Sequence, residues 1–157
     1  MKDYYEYLAK GFQLIHPVMT KYIGKIMKYE YQGYWWNKIY DEILSDQQRD
    51  LPYMGNDDYL LSQLDVANCV RIFTRQWRDV FESYLPKNLR TYFNELMGIR
   101  HSYAHAGSNT IDIHMAERSL DTMYLICKEL DGEEAEKIHD LYQEVREQSI
   151  GTVDLTE

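Results

Sequence analysis

Arg90-Thr91-Tyr92-Phe93-Asn94-Glu95-Leu96-Met97-Gly98-Ile99-Arg100-His101-Ser102-Tyr103-Ala104-His105-Ala106-Gly107 is the stretch around which the rest of the chain is organised. On a helix advancing about 100° per residue, Phe93, Leu96, Met97 and Ala104 share one face, and Arg100 falls within that apolar stripe. An arginine there must be paired or used, because an unpaired buried charge costs several kcal/mol or more, roughly. Beside it runs a second line, Asn94, Gly98, His101 and His105, which is small and polar and carries two imidazoles one turn apart. The stretch therefore predicts a helix with two distinct faces, and an all-helical domain built to hold it.

Gly98 costs that helix about 1 kcal/mol relative to alanine, so it suggests close approach of another backbone, with a second copy of the chain as the natural candidate. Arg100 and His105 stand about 140° apart around a straight helix and roughly 7.5 Å along it, so they converge poorly within one regular helix. Unwinding near Ala106 and Gly107 would bring them together, as would two copies facing each other and pooling their groups. The second arrangement is favoured, which makes Gly98 a dimer contact.

Outward from this helix the chain reads as further helices. Tyr4 to Ile15 places Tyr4, Tyr7, Leu8, Phe12 and Ile15 near one face, Pro17 is expected to interrupt or kink it, and Val18 to Tyr29 resumes the period. Tyr34 to Leu44 is a short helix whose paired Trp35 and Trp36 suit core or interface anchors. Residues 45–58 form a long loop, with Asn56 or Asp57 as cap of a long helix striped by Leu60, Leu64, Ala67, Val70, Phe73, Trp77, Phe81 and Tyr84. Arg71, Arg75 and Arg78 lie off that stripe, as a solvated basic face or as an RNA-backbone track. Pro86 opens the motif helix and Gly107 to Thr110 closes it. Asp112 caps a helix that presents Met115, Ala116, Leu120, Met123, Cys127 and Leu130 to the core and ends at Gly132. The expected organisation is one helical bundle over residues 1–131, of about five or six antiparallel helices. Residues 132–157 follow as an acidic amphipathic helix that packs on the bundle or continues to a partner, and then a tail or linker.

The net charge of −9 argues against adhesion of the whole surface to nucleic acid or to anionic membrane. A local site is still open to the chain. Arg71, Arg75, Arg78, Lys87, Arg90, Arg100, His101, His105, His114 and Arg118 gather in one part of the sequence, while the region after Lys128 is acidic. An RNA phosphate would be held by a basic pocket in an acidic molecule. Cys69 and Cys127 sit in segments of helical period and are expected to pack as small hydrophobes, which fits a reducing cytoplasm. Charge is interleaved through Met1 to Glu6 and no later run is long enough to cross a bilayer, so a soluble, unexported protein without a membrane partner is expected.

Arg100-His101-Ser102-Tyr103-Ala104-His105 resembles the signature of the HEPN superfamily: arginine, a polar residue, three residues, histidine. The resemblance extends through Asn68 to Phe81, Glu95-Leu96, and Arg118 to Met123, and Leu8 to Trp36 is similar to the first helices of one HEPN branch. It covers roughly Tyr5 to Leu130. That branch is found joined to an endonuclease of nuclear messenger-RNA quality control and to bacterial ATPases in phage-defence settings. It commonly carries asparagine directly after the arginine, where His101 stands here. The resemblance implies an all-α HEPN-like bundle and a metal-independent endoribonuclease that works without a cofactor as a homodimer. RNA would be its substrate, with an antitoxin or ATPase as further partner; a noncatalytic dimerisation or nucleotide-binding module is the alternative. Some HEPN toxins are silenced by nucleotidylation of a tyrosine two residues after the motif histidine, but Gly107 holds that position here.

The residue types suit the chemistry. Histidine titrates near neutrality and serves as acid or base, and the planar fork of arginine holds phosphate oxygens. His105 would be the acid or base and Arg100 the phosphate ligand, with His101, Asn94 and Arg90 supporting or binding RNA. Two other readings stay open. Arg100 pairs with Glu95 or Asp121 while the histidines only cap the helix end, or His101 and His105 share a metal ion.

Overall fold

The structure, a computed structural model, describes residues 3–106 and 110–155. Among them there is no strand, so the expected all-α class holds. The first helix, α1 (Tyr5–Tyr31), runs unbroken through Pro17. A proline inside a helix costs about 3 kcal/mol through its missing N–H and ring clash. Burial of Leu8, Phe12, Ile15, Val18, Met19 and Ile23 on both sides of Pro17 offsets that, and Pro17 itself faces solvent. The expected interruption is therefore absent. Side chains pack tightly onto the glycines of this helix: a Cβ at Gly11 would lie 2.6 Å from Met123 Sδ and 2.9 Å from Leu120 Cδ2, and one at Gly24 would lie 2.6 Å from Leu61 Cδ1.

After a 3₁₀ turn at Gln32–Tyr34 come α2 (Trp35–Asn37) and a π turn at Lys38–Ile43, in place of one regular helix. Both tryptophans are buried, and Trp36 Nε1 donates to Pro52 O at 3.1 Å. Of the expected loop, Ser45–Asp50 is 3₁₀ helix. Arg75 clamps it by donating to both Asp46 carboxylate oxygens (2.7 and 3.1 Å) and to Ile43 O (2.8 Å). Arg75 is thus a structural clamp, which removes it from any RNA track.

The expected long helix is instead two shorter ones, followed beyond Arg75 by a turn and a 3₁₀ helix at Phe81–Ser83. Asn56 caps α3 (Asp57–Ser62) by accepting from Tyr59 N. The chain then breaks, and Asp65 and Asn68 form a reciprocal capping box that starts α4 (Val66–Arg75). The apolar period survives the break because Leu60, Leu64, Ala67, Val70, Phe73, Trp77 and Phe81 are all buried. The next helix, α5 (Leu89–Ala104), packs between α4 and α6 (Ile113–Leu130), with Phe73 and Phe93 stacked at 4.2 Å. Asp112 caps α6 as expected, accepting from Met115 N at 2.8 Å. The helix ends at Asp131 and not at Gly132, because Asp131 Oδ1 accepts from Glu133 N and Glu134 N and so starts α7 (Gly132–Leu155) at once. This helix packs along α6 and α1 through Ala135, Ile138 and Val145. Gln148 bridges the Tyr4 and Tyr7 hydroxyls at 3.0 and 3.1 Å. Cys69 and Cys127 are free and buried, and desolvation pushes both thiols up, that of Cys127 to about 12. Among the described residues no helix is long and apolar enough to cross a membrane.

Candidate functional site: the outer face of α5

The buried stripe of α5 is Leu89, Phe93, Leu96 and Ile99, continued by Tyr103. Tyr103 stacks on Tyr5 at 4.5 Å and lies 5.0 Å from Phe12. The hydrogen bond to Tyr5, with burial behind it, pushes the Tyr103 hydroxyl up to about 12. The stripe lies further round the helix than expected, since Met97 is half-buried and Ala104 is exposed. Ala104 ends α5, where no neighbouring element covers it, while Ile99 and Tyr103 face the α1 and α6 side. Arg100 therefore sits roughly 40° from the centre of the buried stripe. It is half-buried and makes no hydrogen bond or ion pair with a described residue.

The carboxylates that could have paired with Arg100 are otherwise placed. Glu95 is held by Arg118 Nε at 2.9 Å. Asp121 lies with Glu95, Glu117, His114 and Tyr142 around a cavity of about 460 Å³ between α5, α6 and α7. Burial, then the charge of Glu95, raise the Asp121 carboxyl above its usual range. His114 opens onto this cavity and not onto the motif histidines.

Arg90, Asn94, Gly98, His101 and His105 are all exposed. They fall within an arc of roughly 80° on α5 at about 100° per residue. The rings of His101 and His105 meet edge to face at 4.4 Å between centroids. His105 caps α5, and its N–H still reaches His101 O at 3.2 Å. It remains close to helical register, so the angular separation from Arg100 persists in one chain. Both histidines line a cavity of about 340 Å³ with Ser102, Ala106, Thr110, Ile111 and Met115, and Arg100 is not among its lining residues. Ser102 and Met115 also line an adjoining cavity of about 400 Å³ that runs past Gly98, Ile99, Arg118 and Ser119. A Cβ at Gly98 would meet nothing within 4 Å, so no described residue makes the close approach expected there. The expected helix end at Gly107 lies outside the described residues.

A Swt1-like HEPN family model matches residues 10–131. The chain belongs to the Swt1-like HEPN family. The match ends where α6 turns into α7, and the HEPN motif helix falls inside it. No curated protein and no solved structure is matched by the chain. Among the described residues no group of three or more histidine, cysteine, aspartate or glutamate side chains is arranged to hold a metal ion. His101 and His105 thus have no third ligand of those types within that set.

The sequence missed Ser102 and Met115, which together line both cavities beside the histidines. Ser102 lies inside the motif and was within reach of inspection. Met115 and the Arg118 to Glu95 pair depend on how α6 lies against α5, which no local pattern encodes.

Proposed function

We propose that the protein is a metal-independent endoribonuclease of the HEPN type, acting as a two-fold dimer in which the outer faces of α5 oppose each other. One observation carries this reading. A half-buried arginine without a carboxylate partner among the described residues directly precedes His101 and stands five residues before His105, two imidazoles in mutual contact. A purely structural arginine at such a position would be paired.

In the reaction one imidazole takes the proton of an RNA 2′-hydroxyl as its oxygen bonds to phosphorus. The P–O5′ bond breaks, and a second, protonated imidazole gives its proton to the leaving oxygen. Arg100 holds the nonbridging oxygens as their charge grows. The products are a 2′,3′-cyclic phosphate and a 5′-hydroxyl. His105 is the acid or base and His101 supports it, with Asn94 and Arg90 binding RNA. Arg100 and His105 of one chain diverge around the helix, which supports a site pooled from two copies. The setting that fits is cytoplasmic, in a toxin-antitoxin or phage-defence system with an antitoxin or ATPase partner. The test is end-group analysis of RNA incubated with the protein in excess EDTA. Cyclic phosphate and 5′-hydroxyl ends support the reading, and 2′-O-methyl RNA of the same sequence must resist. Ends bearing a 5′-phosphate, or cutting of the 2′-O-methyl strand, overturn it.

A further inference from the structure

The exposed face of α5 does not stop at the histidine pair. Towards the head of the helix it continues through Gly98 and Asn94 to Arg90, and the arc contains no carboxylate, since the only acid on α5 is Glu95, on another side and held by Arg118. Beyond Arg90 it opens into a cavity of about 450 Å³ lined by Lys87, Asn88, Arg90, Thr91, Glu82 and the buried Trp77. Lys87 and Arg90 are exposed, and neither forms an ion pair with a described residue, Glu82 included. Several cations of the chain lack an ion pair among the described residues, but Lys87 and Arg90 share one cavity, where both are available to an external anion.

We propose that the Lys87 and Arg90 cavity opens a phosphate track for single-stranded RNA that passes along the edge of the α5 face, beside the crossing at Gly98, to the His101 and His105 pair. The proposal rests on the nuclease reading for the identity of the ligand. From Arg90 to His105 is 15 residues, or about 22 Å along the helix. The track is therefore several nucleotides long, and the substrate is an oligonucleotide. A single strand fits because the stripe is narrow. A duplex would bring a second row of phosphates against a chain whose net charge is −9. Arg90 lies eight residues, about 12 Å, before Gly98, so it and Lys87 stay accessible when two copies cross between Gly98 and His105.

Binding of a fluorescent 2′-O-methyl 12-mer, which cannot be cut, tests the track by anisotropy between 50 and 200 mM salt. Each phosphate contact to a single strand contributes about 0.7 to the slope of log K against log salt. The Lys87→Gln/Arg90→Gln double variant should bind more weakly, with a slope shallower by roughly 1.4. Over that salt range the wild type then loses about sevenfold more affinity than the variant. A control of equal charge, Lys21→Gln/Lys25→Gln on the exposed side of α1, should keep the wild-type slope. No binding by the wild type, no change in the first variant, or the same change in both overturns the proposal. If the slopes differ as expected but the wild type cuts no RNA, the track stands and the nuclease reading fails by itself.

Discussion

Gly98→Leu separates the needs of the chain from those of its copy. Within one chain the substitution is free of clash, because no atom lies within 4 Å of the new Cβ and the position is exposed in the middle of α5. It should even help, since leucine is favoured over glycine in a helix by roughly 0.8 kcal/mol. For a domain of this size that raises the monomer melting temperature by about 2–4 °C per kcal/mol. In the proposed dimer the same side chain meets the opposing helix. Overpacking costs about 1–3 kcal/mol per site, and two-fold symmetry applies it twice. A total of roughly 2–6 kcal/mol weakens association by about 30-fold to 10⁴-fold. Sedimentation velocity across a concentration series reads the dissociation constant, and melts taken below it read the monomer. The expected result is a dimer that falls apart into a monomer of equal or higher melting temperature. An unchanged dissociation constant places the interface elsewhere, and a monomer that melts lower shows that Gly98 serves this chain and not its copy.

Asp121 offers a pH test. Its carboxyl is raised in the fold, so the charged form is penalised above that raised value and the penalty disappears below the ordinary aspartate range near 3.9. Asp121→Asn should therefore raise the melting temperature at pH 7, with the gain vanishing towards pH 3; a loss at pH 7 refutes this. The Asp46 carboxyl is depressed, by its hydrogen bonds to Arg75 first. Its clamp on the loop should thus remain in place as pH falls past the ordinary aspartate value and open only as pH passes through the depressed one. Arg75→Ala should speed amide exchange in Ser45–Asp50 while leaving RNA affinity within about twofold, and a large loss of affinity would return Arg75 to the RNA face.

The helices were legible where a buried stripe had a regular period, and their starts where a single residue caps, as at Asn56 and Asp112. The break before α4 was also written locally, in Asp65 and Asn68 three residues apart, but the unbroken apolar period across it hid the signal. The interruption expected at Pro17 does not occur, because its cost is local while the burial that outweighs it comes from packing against other helices. The close approach expected at Gly98 is likewise absent within the described residues, while Gly11, for which nothing was expected, is tightly packed. At the site, the motif gave the residues and the helix gave their face, but the commitment of Arg75 to Asp46 and of Glu95 to Arg118 depends on packing between elements distant in sequence. Those two pairs decide which cations are left without an ion pair, so the unpaired state of Arg100 among the described residues emerged only in three dimensions.

The central claim is that Arg100 and His105 cut RNA without a metal, and the most direct measurement is the cleavage rate of single-stranded RNA in excess EDTA for the wild type, Arg100→Ala and His105→Ala, each checked for unchanged helix content. Loss of one acid-base group or one transition-state donor should lower the rate by roughly a hundredfold or more in each variant. Rates that survive both substitutions, or wild-type cleavage that disappears with EDTA, would contradict it.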